Sequence, residues 1–294
     1  MNRKLRNGTI ISHQDSSERL LSFLYGTVMG RILLKPLVCP AVSRAAGAFL
    51  SSPISRILIK PFVRSNHLDM TQFEPGPYRT YNDFFARKIL PEKRPIDRDP
   101  LHLVSPCDSK LTVLPITKNG IFTLKHTPYT LSELLKDPEL ATAYEGGYAL
   151  IFRLTVDDYH RYCFACDGEV SGSVRIPGVF HTVNPIANDH FPIYKENTRE
   201  YCILHTKEFD DILLMEVGAL LVGKIVNHPI EGTVLRGQEK GYFRFGGSTV
   251  VLLVKKDTVR IDADLLANSA EGYETVVRFG ERIGSVPPTH RPIS

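Results

Sequence analysis

The sequence predicts an α+β fold, with an N-terminal helical segment followed by a β-rich core that is barrel-like or a curled antiparallel sheet. Three observations predict it. From Leu101 onward, short apolar runs recur between turns rich in Gly, Asn, Asp and Pro, as strands do. These runs do not alternate regularly with helix-length segments, which argues against a βα repeat. Before about residue 65 the apolar residues come in longer stretches, and Pro36, Pro40, Pro53 and Pro61 break these into short helices. At 294 residues, with 43% apolar and 23% charged side chains, the chain is long enough to bury a full core.

The N-terminal element, residues 1–75, carries the charge asymmetry. The net charge is +4, yet residues 1–64 hold ten Lys and Arg against Asp15 and Glu18, so the remainder is net acidic. A basic segment points to nucleic acid or to an anionic membrane surface. Leucines and other aliphatics, not stacking aromatics, separate these charges, which argues against nucleic acid. The longest uncharged runs, Leu20–Gly30 and Ala45–Ser55, are too short to span a bilayer. Short amphipathic helices with basic flanks suit the membrane interface, and a helical subdomain with a solvated basic face is the structural alternative. A secretory signal fits poorly, because basic residues continue through the apolar part. Five cysteines, an odd number, do not form a disulfide framework and indicate a reducing compartment.

Residues 76–294 form the second element. It opens with a Pro- and charge-rich joint around one short helix, Tyr81 to Leu90, capped by Thr80 or Asn82. Strands are expected at 111–114, 121–124, 149–154, 169–176, 203–205, 212–217, 223–225 and 249–254, and a helical turn at 130–135 is capped by Thr130 or Ser132. The last strand is preceded by Gly246-Gly247-Ser248-Thr249. The two glycines permit a sharp turn, and the Ser248 hydroxyl lies beside the unshielded Gly247 carbonyl. A strained Gly-Ser bond next to its own nucleophile can rearrange to an ester; a Gly-Gly bulge entering a strand is the plainer reading.

Other residues carry chemistry with a structural alternative beside each. Asp108 follows Pro106-Cys107 and reads as a turn cap. His160, in Asp157-Asp158-Tyr159-His160-Arg161-Tyr162, is of the residue type whose ordinary value suits proton transfer near neutral pH, or is a satisfied core histidine. Cys163 and Cys166 make a lone CxxC, too little for a zinc or redox site. Arg199 can hold an anion or form a structural ion pair. Glu216 lies in an apolar strand and needs a partner, for which Lys224 or an arginine is available.

The segment Lys240 to Leu253 resembles the self-processing site of the phosphatidylserine decarboxylases. Tyr81–Asp97, Val104–Leu111, Asp157–Tyr162, Ile176–Ala187 and Met215–Ile225 resemble further family segments, in family order. The resemblance implies a pyruvoyl enzyme that converts phosphatidylserine to phosphatidylethanolamine and CO₂, with no metal. It implies cleavage between Gly247 and Ser248. In that reaction Ser248 Oγ attacks the Gly247 carbonyl to form an ester, and elimination and hydrolysis leave a pyruvoyl group with release of ammonia. The substrate amine then forms a Schiff base with that group, which takes up the electrons released with CO₂. The resemblance implies an Asp-His-Ser relay that includes Asp108 and places His160 in the active site. Many family members carry a second histidine where this chain has Cys163, so the relay base is assigned to His181, in Pro177–Pro185, and proton handling in turnover to His160. Arg199 is the candidate for the substrate's phosphate or carboxylate. The implied partners are phosphatidylserine, an anionic membrane surface at the cytoplasmic face of the cell membrane, and the two chains of the one proenzyme. A homodimer is allowed. The rival classes are a serine hydrolase using Ser248, against which the lack of a G-x-S-x-G elbow counts, and a noncatalytic membrane-surface adaptor.

Overall fold

The computed structural model describes residues 3–11, 24, 27, 29–30, 40–124, 127–179, 193–218, 224–244 and 248–288. The strand that organises it is Ser248–Val254, all seven of whose residues are buried. It pairs antiparallel with Asp210–Val217 on one side and Tyr148–Leu154 on the other. Period-2 alternation sends its side chains to two separate cores. Val250, Leu252 and Val254 join Leu150, Phe152 and Leu214 on one face. Val251 and Leu253 join Ile151, Leu213 and Met215 on the other. A strand covered on both faces has no solvated positions to alternate with, so it reads as a continuous apolar run. Each fully buried Val or Leu contributes about 1.5–3 kcal/mol.

Among the described residues, eleven strands make up this sheet. From the central three it extends through Arg199–Thr206, Gly168–Val170 and Gly232–Val234 in one direction, with Val174–Ile176 pairing on Arg199–Thr206. In the other direction it extends through Ser109–Pro115, Glu274–Val277, Arg3–Lys4 and Ile10–Ile11. The two end strands pair only inward, so the sheet is open and the barrel alternative is corrected to a mixed, mostly antiparallel sheet. Closure is unnecessary because other elements cover its faces. The first face packs against a ribbon of Arg161–Cys163 with Glu239–Phe243, and against Leu265 of helix Ala263–Ala270. The second is covered by helices Leu131–Leu135 and Pro138–Thr142 together with Tyr129 and Tyr194.

The N-terminal region departs from a single basic arm. Arg3–Lys4 and Ile10–Ile11 are sheet strands, and Lys4 pairs with Glu271. Arg6 reaches Asp262, Asp264 and Glu281 at 2.7, 2.8 and 3.2 Å. These two cations are therefore spent within the protein. Helix Pro40–Leu50, a 3₁₀ turn Pro53–Leu58 and helix Ile59–Ser65 follow. The buried Ser55 hydroxyl joins them to the core, donating to Leu50 O and accepting from Tyr81 N. Phe62 meets the rings of Tyr81 and Phe84 edge-on. On the outer side Phe49, Ile54 and Ile57 are exposed, beside exposed Arg56 and Lys60. No helix among the described residues is long and apolar enough to cross a membrane.

The joint helix is Tyr81–Phe85, shorter than the expected 81–90. Thr80 caps it in a reciprocal box with Asp83. It stops because the next residues are claimed by pairing: Lys88 O accepts from Glu74 N, and Leu90 N donates to Gln72 O.

Candidate active site

Three elements converge on Ser248. The residue opens the central strand and is fully buried. Its Oγ lies 3.3 Å from Nδ1 of His160, which is also fully buried. His160 sits just before strand Arg161–Cys163, and its carbonyl accepts from Phe243 N, so the Glu239–Phe243 strand fixes it in place. The Phe85 ring lies 4.1 Å from the imidazole, centroid to centroid, on the side of the joint helix.

The tautomer follows from the partners. Nε2 is 3.0 Å from Thr155 O, and a carbonyl can only accept, so Nε2 carries the proton. Nδ1 is then a bare lone pair facing the Ser248 hydroxyl, as a general base requires. Burial holds the imidazole down at about 3, and the charge of Arg87 adds to this, so it is neutral at physiological pH. Thr155 is itself braced. Asp158 accepts from Thr155 N and Oγ1 at 2.7 and 2.9 Å, and Lys110 Nζ contacts both Asp158 oxygens at 2.6 Å. Burial pushes the Asp158 carboxyl up, against the opposing pull of Lys110. A buried acid thus stands behind the imidazole, with residue Thr155 between them.

The expected relay is only partly visible. His181 and Gly247 lie outside the described residues. Asp108 does not touch His160. Both its oxygens accept from Arg94, at 2.7 to 3.1 Å, and Oδ1 also accepts from Phe279 N. Its visible work is to tie the joint to the start of strand Ser109–Pro115. The residues that support His160 were not singled out from the sequence. In sequence, only the adjacency of two acids to His160 signals Asp158.

Arg199 corrects the substrate-binding expectation. It is 1% exposed, and its guanidinium donates to the carbonyls of Leu134, Lys195, Asn197 and Glu133. Burial pulls its value down to about 10. With four of its five N–H donors spent on backbone acceptors inside the core, it is held as a structural group and not presented to an anion. Arg199→Met should therefore lower stability by about 3–5 kcal/mol, because it strands buried carbonyls. Thermal unfolding measures this. A raised KM at unchanged stability would restore the binding role.

Cys163 and Cys166 are free, buried in the apolar core, and raised by burial, so neither is a ready thiolate. No group of three or more metal-ligating side chains occurs among the described residues. Glu216 is paired with Lys240 at 2.6 Å, not with Lys224 or an arginine, and also accepts from Asn227. Burial pushes Glu216 up. For Lys240, burial opposes the cation, and the surrounding groups, Glu216 foremost, together hold its value above the ordinary one.

A family model described as phosphatidylserine decarboxylase matches residues 81–285. The chain is 46% identical over 265 residues to phosphatidylserine decarboxylase proenzyme 2 of Clostridium acetobutylicum, covering 90% of this chain and 91% of that one. It is 41% identical over 290 residues to the phosphatidylserine decarboxylase proenzyme of Ruminiclostridium cellulolyticum, covering 97% and 96%. The proenzyme of Clostridium botulinum is 38% identical over 276 residues, with 92% and 94% covered. With the match spanning the joint helix, the histidine and the serine strand, the chain belongs to the phosphatidylserine decarboxylase family.

Proposed function

We propose that the chain is a proenzyme that cuts itself between Gly247 and Ser248 and then decarboxylates phosphatidylserine to phosphatidylethanolamine. The observation that carries this is the buried Ser248 hydroxyl on the bare Nδ1 of His160, directly after two glycines. In this reading His160 takes the Oγ proton as Oγ attacks the Gly247 carbonyl. The proton then passes to the departing peptide nitrogen, and Thr155 O holds the ring in the required tautomer throughout. Both side chains are fully buried, which strengthens the contact between them.

The residues present fit a pyruvoyl group made from Ser248, since it would occupy the serine's own place at the head of a rigid strand. Once formed, its carbonyl supplies the electron sink for the pair released with CO₂. His160 Nδ1 remains the proton-exchanging atom facing that residue, and Phe85 covers the imidazole from the other side. The base role expected of His181, which lies outside the described residues, is assigned in this scheme to His160, and Asp108 holds the joint through Arg94.

The setting is a peripheral one, at the cytoplasmic face of the cell membrane. The exposed Phe49, Ile54 and Ile57 would enter the interface with Arg56 and Lys60 at the head-group level. Intact-mass measurement tests the central claim. Two fragments are expected, residues 1–247 and a fragment starting at former Ser248, the latter blocked to Edman sequencing and reactive toward borohydride. A single uncut chain that decarboxylates phosphatidylserine would overturn the mechanism.

A further inference from the structure

The ribbon of Arg161–Cys163 with Glu239–Phe243 has a second face. Tyr242 is opposite Arg161 in the register, and Phe243 N donates to His160 O. Alternation along a strand therefore puts Phe243 and His160 on the side of the core and Ser248, and Arg161, Tyr242 and Arg244 on the opposite side. There a cavity of about 350 Å³ opens at the seam with the N-terminal helices, within the size range of ligand pockets. Ser51, just after helix Pro40–Leu50, and Thr80, from the joint, complete its wall.

The donors in this cavity are in excess. Arg161 is locked in place: Nε donates to Ala86 O, Nη1 donates to Glu239, and the guanidinium lies 4.9 Å over the Tyr242 ring. Its Nη2 has no partner among the described residues. The Arg244 guanidinium has none either. Ser51 Oγ accepts from Asn82, and Thr80 Oγ1 accepts from Asp83 N, so both hydroxyl protons remain to be given. The one acid in the wall, Asp83, is engaged by Thr80 N in the capping box. Two guanidinium groups and two hydroxyls converging on one hollow form a phosphate-shaped set of donors. Beside it, Phe49 and Ile54 flank Ser51 in sequence and are exposed, placing apolar surface where acyl chains would lie.

We infer that this seam cavity binds the phosphodiester of an anionic phospholipid other than the one reacting at Ser248, and so anchors the protein at the membrane interface. The inference rests on the interfacial setting proposed above. It adds a stoichiometric lipid site to what would otherwise be diffuse attraction. The separation from the reaction centre follows from the ribbon: the phosphate and the serine carbon of one head group are only a few bonds apart, and cannot straddle it.

The test is flotation of the full chain with vesicles of phosphatidylglycerol in phosphatidylcholine. Arg244→Gln should lower the partition coefficient at least about tenfold, the loss expected for a charge-assisted hydrogen-bonded contact. Lys60→Gln removes the same charge from a solvent-facing place and should lower it by no more than about fivefold. Arg244→Lys keeps the charge and loses the fork, so a pocket predicts weakened binding and diffuse attraction predicts none. Soluble glycerophosphoglycerol should compete for the wild type, and inorganic phosphate much less. Equal effects of Arg244→Gln and Lys60→Gln, full binding by Arg244→Lys, or equal competition by inorganic phosphate would each overturn the site. Cleavage and decarboxylation in neutral detergent, scored on the same samples, report on the reaction separately. An uncut Arg244→Gln chain would move this arginine to processing and also overturn the inference.

Discussion

Ser248→Ala is expected to leave one full-length chain with no decarboxylase activity, the largest effect of any single substitution in this protein. The change removes only Oγ. A peptide bond has no other route to the ester within this site, because the attacking atom must be a hydroxyl beside the Gly247 carbonyl. The fold should tolerate the loss. Ser248 spends its hydroxyl on one hydrogen bond to His160, and its removal costs about 1 kcal/mol, while the strand keeps its buried Val and Leu side chains. A denaturing gel gives the first readout, release of CO₂ from phosphatidylserine the second, and thermal unfolding the control. Activity in an uncut Ser248→Ala chain, at wild-type stability, would remove Ser248 from the chemistry. A serine hydrolase would differ earlier, since its wild type would also run as one chain.

The reach of the sequence can be judged residue by residue. Strand Ser248–Val254 was legible because burial on both faces leaves an unbroken apolar run, and Ile121–Leu124 because the Asn119-Gly120 turn immediately precedes it. Ser248 and His160 were legible as members of local blocks whose chemistry is local. What failed was any role set by a partner far along the chain. Lys110 and Asp158 lie 48 positions apart, and the carbonyl of Thr155, which fixes the imidazole tautomer, is a backbone atom that every residue owns. Arg199 looks in sequence like an anion binder, because an arginine that binds four carbonyls and one that binds a phosphate are the same letter. Arg6 looked like part of a solvated basic arm, and its partners Asp262, Asp264 and Glu281 are more than 250 positions away. Closure of the sheet was undecidable for the same reason, since the short strand Ile10–Ile11 ends it from the far terminus of the chain.

His160→Ala is expected to slow self-cleavage by about 10²–10⁴-fold, the range for loss of a positioned base, so that uncut chain accumulates. His181→Ala should cut at close to the wild-type rate. The pH dependence tests the assignment to His160 without a mutation. Burial first, and the charge of Arg87 second, hold His160 at about 3, well below the ordinary value of 6.5. Nδ1 therefore stays bare across about pH 5–8, and cleavage should show no inflection near 6.5. A base with the ordinary imidazole value would instead lose about tenfold in rate per unit of pH below it. A base of such low affinity for protons is a weak one, yet self-processing occurs once per molecule and has no need of rapid turnover. The same shift acts on stability, and its sign is fixed. The folded value lies below the unfolded one, so between 6.5 and about 3 only the unfolded chain takes the proton. This contribution is complete above 6.5 and is lost as pH falls through that window. Cleavage rates of freshly synthesised proenzyme across this range, together with gels of the two alanine variants, provide the measurement. A titration near 6.5 with His181→Ala uncut and His160→Ala cut would return the base to His181 and leave His160 to turnover alone.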